Sequence, residues 1–278
     1  METIIQTIPT VNLQNGMSMP LLGLGVLKAQ NGFEVEHAVD SALQNGYSLI
    51  DTAAAYRNEE GVGQAIRLSG IPREDIFLTT KVWNSDQGYE ATLKAFEKSL
   101  DDLGTHYIDL YLIHWPVAGK YKETWRALET LYKQGKVNAI GVSNFQIHHL
   151  QDLMQTAEIK PMVNQVEVHP HLQQEALLQF AQKHDIILEA WRPLMMGEVK
   201  DIALFNKLGS KYQKSPFQVA LRWLTQRGIV AIPKSVKMDR IIQNSDICDF
   251  DLTQDEMNEI AKLDQHRRLG PDPDNFNF

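Results

Sequence analysis

Residues 48–59 read SLIDTAAAYRNE, an apolar strand-like run that ends in Asp51 and opens into a small-residue loop carrying Tyr56. The same rhythm returns twice, as IFLTTKVW (76–83), with Lys81 near its end, and as IDLYLIHWP (108–116), with His114 following the apolar run. Units of strand, loop and helix repeated at about thirty residues describe a parallel barrel whose strands all end at one rim. On that reading Asp51, Tyr56, Lys81 and His114 reach one pocket from three consecutive units.

The rest of the chain fits the frame. Short apolar runs with no clear alternation, as expected of strands covered on both faces, occur at 21–24, 48–51, 77–80, 110–113, 139–142, 162–166, 187–190 and 229–232. Helical periodicity falls between them at 34–44, 59–68, 89–103, 122–133, 148–155 and 174–183. Two helix patterns, 201–212 and 216–226, fill the interval before the last strand, and Ser215-Pro216 caps and presets the second. Further helices follow at 238–245 and 253–263, the latter opened by the capping box Thr253/Glu256. TVNLQNGMSMP (10–20) alternates about Asn15-Gly16 and predicts a hairpin that plugs one barrel end. The tail, RRLGPDPDNFNF, is too rich in Pro and Asp for a helix, and Phe276 and Phe278 can fold over a pocket mouth. The expected fold is a (β/α)8 TIM barrel with an N-terminal hairpin and extra C-terminal helices, built as one domain over 1–278.

Composition narrows the partners. A chain of 278 residues, 43% hydrophobic and 22% charged, can bury a large core. Its formal net charge of -8 disfavours a nucleic-acid surface, which must be cationic. No run approaches the roughly 18 apolar residues of a membrane span, and METIIQTIPT lacks the basic, apolar plan of a secretory signal. A cytoplasmic protein acting on small molecules is expected. Cys248 is the single cysteine, and with His169 and His171 it forms no metal-ligand spacing, so neither a disulfide nor a metal is expected.

The four rim residues make chemical sense together. A phenol is a weak acid near pH 7, a neighbouring ammonium favours its phenolate, and a carboxylate keeps that ammonium charged. Lys81 and Asp51 can do this for Tyr56, while a neutral imidazole at His114 can direct the same carbonyl oxygen that Tyr56 protonates. Singly, each has a structural explanation: a turn aspartate, a loop histidine, a solvated lysine, an aromatic wall. As a set they suit reduction of a carbonyl, and a nicotinamide cofactor is the usual source of the missing hydride.

GYSLIDTAAAYRNEEGVG (46–63), AIGVSNF (139–145) and IPKSVKMDRIIQN (232–244) resemble the three signatures of the aldo-keto reductases, and the likeness extends over nearly the whole chain. It is nearest to the bacterial branch of 2,5-diketogluconate and glyoxal or methylglyoxal reductases. The resemblance implies a monomeric barrel that reduces aldehydes and ketones with NADPH, with Asp51, Tyr56, Lys81 and His114 as the tetrad and Tyr56 as general acid. It also implies Ser143, Asn144 and Gln165 at the carboxamide and Trp191 under the nicotinamide ring. The residue chemistry agrees: Lys234, Ser235 and Arg240 follow the last strand, where barrels often bind phosphate, and suit a 2′-phosphate. Asn244, one helical turn beyond Arg240, can reach the adenine.

Three positions depart from the pattern: Ser48 replaces an arginine, Asn138 a longer side chain, and Arg192 a serine in the loop that the family lays along the pyrophosphate. Arg192 thereby adds a cation to the expected cofactor contacts. By position Val26, Leu27, Ala55, Trp83, Trp115 and Phe276 line the substrate mouth, an apolar wall suited to small carbonyl compounds. No glycine pattern of a dinucleotide fold is complete, since Lys28 and Ile66 stand where a third glycine is needed, and there is no nucleophile elbow or P-loop. Two other readings use the same residues: a phosphosugar isomerase or Schiff-base aldolase with Lys81 as base or amine, and an NADPH-binding regulatory subunit with negligible turnover.

Overall fold

Strands that lack alternation find cover on both faces. In the computed structural model, which describes residues 7–278, eight parallel strands line up in chain order: β3 (Gly23–Gly25), β4 (Leu49–Asp51), β5 (Phe77–Val82), β6 (Ile108–Ile113), β7 (Val137–Ser143), β8 (Val163–Glu167), β9 (Ile187–Trp191) and β10 (Val230–Ala231). Every residue of β5 and β6 is buried. Parallel bridges Leu22↔Ala231 and Gly25↔Lys234 join the last strand to the first, so the sheet closes into the expected (β/α)8 barrel. That seam is thin, and it is tight: a Cβ on Gly25 would stand 2.9 Å from the Ile232 carbonyl oxygen.

The helices that cover the barrel are α1 (Phe33–Leu43), α2 (Glu59–Leu68), α3 (Tyr89–Leu103), α4 (Tyr121–Lys133), α5 (Ile147–Met154), α6 (Glu175–Lys183), α7 (Ala203–Tyr212), α8 (Pro216–Gln226), α9 (Met238–Ser245) and α10 (Gln254–Ala261). In α4 Trp125, Leu128 and Leu131 are buried. Burial of each such side chain contributes about 1.5–3 kcal/mol before the cost of ordering it. The cap expected at Ser215 and the capping box expected at Thr253/Glu256 both form: Ser215 Oγ accepts from Gln218 N, and Thr253 Oγ1 accepts from Glu256 N.

The hairpin, β1 (Thr10–Asn12) with β2 (Ser18–Pro20), pairs Val11 with Met19. Only Gly16 in its turn has a positive φ, 85°, so the connection is a three-residue loop closed by glycine rather than a two-residue Asn-Gly turn. Gln14 Nε2 donates to the carbonyls of Lys160 and Pro161, and Asn15 Nδ2 to that of Asn138. These residues lie at the starts of β7 and β8, so the hairpin closes the end of the barrel opposite the one where the strands finish. METIIQTIPT, the basis of the signal-peptide reading, lies mostly outside the described residues.

The expected elements differ from the observed ones chiefly at the seam. The run 21–24 becomes a strand over Gly23–Gly25, and 229–232 shrinks to Val230–Ala231, because Pro233 has no N–H to carry the ladder further. The helix expected from residue 201 begins at Ala203, after a stretch over Met195–Asp201 that is broken by a kink where Met196 and Gly197 have positive φ. No helix among the described residues is long and apolar enough to cross a membrane.

Candidate active site

Register delivers the ionisable groups to one rim. Asp51 ends β4 beside Thr79 of β5, and Lys81 lies two residues further along β5. The chain then leaves β4 through a loop that Asn58 ties down: its Oδ1 accepts from Thr52 Oγ1, and its Nδ2 donates to the carbonyls of Val26 and Ala29. A 3-10 turn over Ala54–Tyr56, followed by Arg57 at φ 57°, presents the Tyr56 ring. His114 follows β6, with its N–H on the Val82 carbonyl and its own carbonyl accepting from Asn144 Nδ2 at 2.9 Å.

Lys81 Nζ donates to Asp51 Oδ1 at 2.7 Å, to the Thr52 carbonyl at 2.9 Å and to the Tyr56 hydroxyl at 3.3 Å. Lys81 is wholly buried and Asp51 is 1% exposed. Burial alone would strip the proton from Lys81, but the Asp51 charge and the Tyr56 hydroxyl raise its pKa above the usual lysine value. Burial pushes Asp51 up, against the pull of Lys81 and the Gln165 hydrogen bond. Tyr56 also lies above the ordinary tyrosine value: burial is the largest cause, Lys81 pulls down, and Asp51 and Glu189 push up. The sequence-based expectation that Lys81 lowers the phenol is thus met in sign but outweighed by burial. His114 meets Tyr56 edge to face at 5.7 Å and is held well below the ordinary imidazole range by burial and by Lys81, so it is neutral near pH 7.

Asp51, Tyr56 and His114 open into a cleft of about 1860 Å³ that Ser143, Asn144, Gln165, Trp191, Arg192, Lys234, Ser235, Arg240 and Asn244 also line. All nine proposed cofactor residues therefore share one space with Asp51, Tyr56 and His114, while Lys81 lies buried beneath it. Sequence suggested that the amides offer both donor and acceptor, but their donors are already used. Asn144 Nδ2 serves His114 O and Ser143 Oγ, and Gln165 Nε2 serves Asp51 and Glu189. Trp191 Nε1 donates to Asn144 Oδ1 at 2.9 Å. At the far end Lys234 and Arg240 are exposed. Arg192, at φ 54°, holds its guanidinium 5.3 Å from the Trp191 ring centre, with Nη1 buried and unpartnered.

The mouth is partly as expected. Leu27, Ala55, Trp83 and Trp115 line the cleft. Val26 does not: it is 1% exposed and packs in the core, because its neighbour Gly25 takes the cleft-facing position. Phe276 lines an adjoining cavity of about 810 Å³ with Trp83 and Phe278. Its ring lies 5.1 Å from Trp115, while Phe278 stacks on Trp83 at 6.0 Å, so the tail does cover the mouth.

Several residues that shape the site were given no part in it from sequence. Glu167 and His169 are buried together, and Glu167 accepts from the N–H groups of Leu269 and Gly270, which fixes the tail beside Trp191. His148 and His149 gather around Asp274, a second anchor. His149 Nδ1 accepts the Gln146 N–H as a helix cap, so its Nε2 carries the proton and faces Asp274 as a donor. Glu189, fully buried in β9, bonds to Gln165 Nε2 at 2.8 Å. The signal for it was a carboxylate inside the otherwise apolar run 187–190.

Comparison with known proteins agrees with this geometry. Residues 21–265 match the model of the Aldo/keto reductase family. The chain is similar to the glyoxal reductase of Bacillus subtilis (strain 168), 57% identical over 97% of this chain and 98% of that protein. It is 49% identical to the methylglyoxal reductase DkgA of Escherichia coli (strain K12), over 96% and 98% of the two chains. A crystal structure of the Gox0644 D53A mutant in complex with NADPH superposes with a TM-score of 0.94 at 42% identity, covering 98% of this chain and all of that one. Barrel, cleft and relatives converge on one assignment: this chain belongs to the aldo/keto reductase family.

Proposed function

We propose that the protein reduces aldehyde and ketone carbonyls to alcohols, with NADPH as hydride donor and Tyr56 as general acid. The observation that carries this reading is the convergence of a phenol, its ammonium neighbour, a carboxylate and a neutral imidazole at the floor of the same cleft that ends in Lys234 and Arg240.

The cleft suits the cofactor on its own chemistry. Gln165 turns its donor inward, which leaves its Oε1 to accept from a carboxamide N–H. Arg192 offers a buried unpartnered N–H, and Lys234 and Arg240 offer exposed cations for a 2′-phosphate. NADPH supplies the hydride when bound. Tyr56 would then protonate the carbonyl oxygen as charge develops on it, Lys81 would stabilise the phenolate left behind, and His114 would orient the oxygen as a neutral donor.

The walls Trp83, Trp115, Ala55 and Leu27 favour small, compact carbonyl compounds, in keeping with the glyoxal and methylglyoxal named for the relatives. A Schiff-base role for Lys81 is disfavoured, because an amine nucleophile must be unprotonated and Lys81 is held charged by three acceptors. The test is a panel of aldehydes, ketones and dicarbonyls with NADPH and NADH, run on the wild type and on Lys234→Ala/Arg240→Ala. Loss of NADPH absorbance that depends on carbonyl supports the reading, and the double variant should weaken NADPH at least tenfold more than NADH. Tight NADPH binding without turnover would instead support a regulatory subunit. A monomer is the state proposed, checked by light scattering.

A further inference from the structure

Beneath the cleft three ionisable side chains are buried in the barrel interior: Asp51, Lys81 and Glu189. One of them is a cation. Lys81 spends its hydrogens on Asp51, the Thr52 carbonyl and Tyr56, and none goes to Glu189. The two acids are joined by Gln165, whose Nε2 gives one hydrogen to Asp51 Oδ2 at 2.7 Å and the other to Glu189 Oε2 at 2.8 Å. The second oxygen of Glu189, Oε1, is buried with no hydrogen-bond partner.

We propose that Glu189 is a positioning residue of the reductive site, present as an uncharged carboxylic acid that fixes Gln165 from below, and that its ionisation disarms Tyr56. Two ionised carboxylates against one ammonium would leave a net negative charge with no solvent to screen it, and one anionic oxygen without a donor. A proton on Glu189 Oε1 removes both problems and leaves Lys81 to Asp51 alone. The groups that face Glu189 are Asp51 from β4, Lys81 from β5 and Gln165 from β8, with the Tyr56 phenol beyond Lys81, while its partner on β10 is the apolar Val230. Burial and the Asp51 charge push the Glu189 carboxyl up to about 8, in the same direction.

Two consequences reach the chemistry. By accepting from Gln165 Nε2, Glu189 and Asp51 together keep the amide oxygen of Gln165 turned toward the cleft. When Glu189 loses its proton, the added charge raises the Tyr56 pKa and competes with Asp51 for Lys81, so the phenol becomes a poorer acid.

The kinetic part of this inference rests on the reductase reading; the proton on Glu189 does not. The experiment is carboxyl NMR on protein labelled with ¹³C-glutamate, together with pH profiles of kcat for the wild type and Glu189→Gln. Expected is one glutamate resonance that titrates near pH 8 and is missing in the Gln variant. The Gln variant should keep pH 7 turnover within about threefold and carry activity about one pH unit further into the alkaline range. Glutamate resonances that all titrate in the ordinary carboxylate range would overturn the proposal, and this arm uses the wild type, so it decides even where the variant fails to fold. An unchanged alkaline limb in a folded Gln variant would overturn the link to Tyr56. If no carbonyl is reduced by the wild type, the reductase reading fails while the resonance still decides the protonation state.

Discussion

The Lys81 ammonium donates to the Tyr56 hydroxyl across 3.3 Å from a position wholly shielded from solvent. A hydroxyl that accepts this bond keeps its own proton free to point into the cleft, which is the geometry an acid catalyst needs. Tyr56→Phe removes that proton and little volume. Turnover should fall by at least about a hundredfold, the usual worth of a positioned general acid, while the NADPH dissociation constant from fluorescence titration changes less than about threefold.

Asp51 and Lys81 depend on each other for stability. Lys81→Met leaves Asp51 buried without its cation, and removing one partner of such a pair costs about 3–5 kcal/mol. Urea unfolding should show that loss. The double substitution Asp51→Leu/Lys81→Met should recover part of it, because no uncompensated charge then remains.

His114 is neutral in the folded protein and titrates normally once unfolded, so the folded state binds fewer protons below the unfolded value of about 6.5. Its contribution to stability is therefore complete above that pH and declines as the pH falls below it. Thermal melts of wild type and His114→Asn between pH 5 and about 8 should converge at the acid end. Wild-type turnover should show no step at the ordinary imidazole value of about 6.5.

Arg192 brings a cation into a loop where the family uses serine. Its Nη1 is buried without a partner beside Trp191, which fits a contact with cofactor phosphate. Arg192→Ser should raise the NADPH dissociation constant about tenfold, near the loss of one charge-assisted hydrogen bond, and leave the single-turnover rate at saturating NADPH within about twofold. An unchanged dissociation constant would show that the arginine serves the fold.

The convergence of Asp51, Tyr56, Lys81 and His114 could be read from sequence because each stands at or just past the end of an apolar run, and a parallel barrel sends all such ends to one rim. Glu189 escaped for the opposite reason: it sits within a run whose apolar neighbours Leu188 and Ala190 dominate the pattern, and only the partner strand reveals which residue it meets. Val26 was misplaced by the register of the first strand, since moving a strand by a single residue exchanges its inward and outward faces. The tail's anchors at Glu167 and Asp274 lie about a hundred or more positions from the residues they hold, and no local pattern spans that interval. The acidity of Tyr56 was equally out of reach, because the number that decides it is burial.

The seam between β3 and β10 is the thinnest stretch of the barrel wall, and Lys234, one of its bridging residues, is also a proposed phosphate contact. A nucleotide gripped there would clasp the first strand to the last. Occupancy and wall integrity would then be one equilibrium, in which transient gaping at Gly25 and Ala231 is suppressed by the same molecule that arms the enzyme.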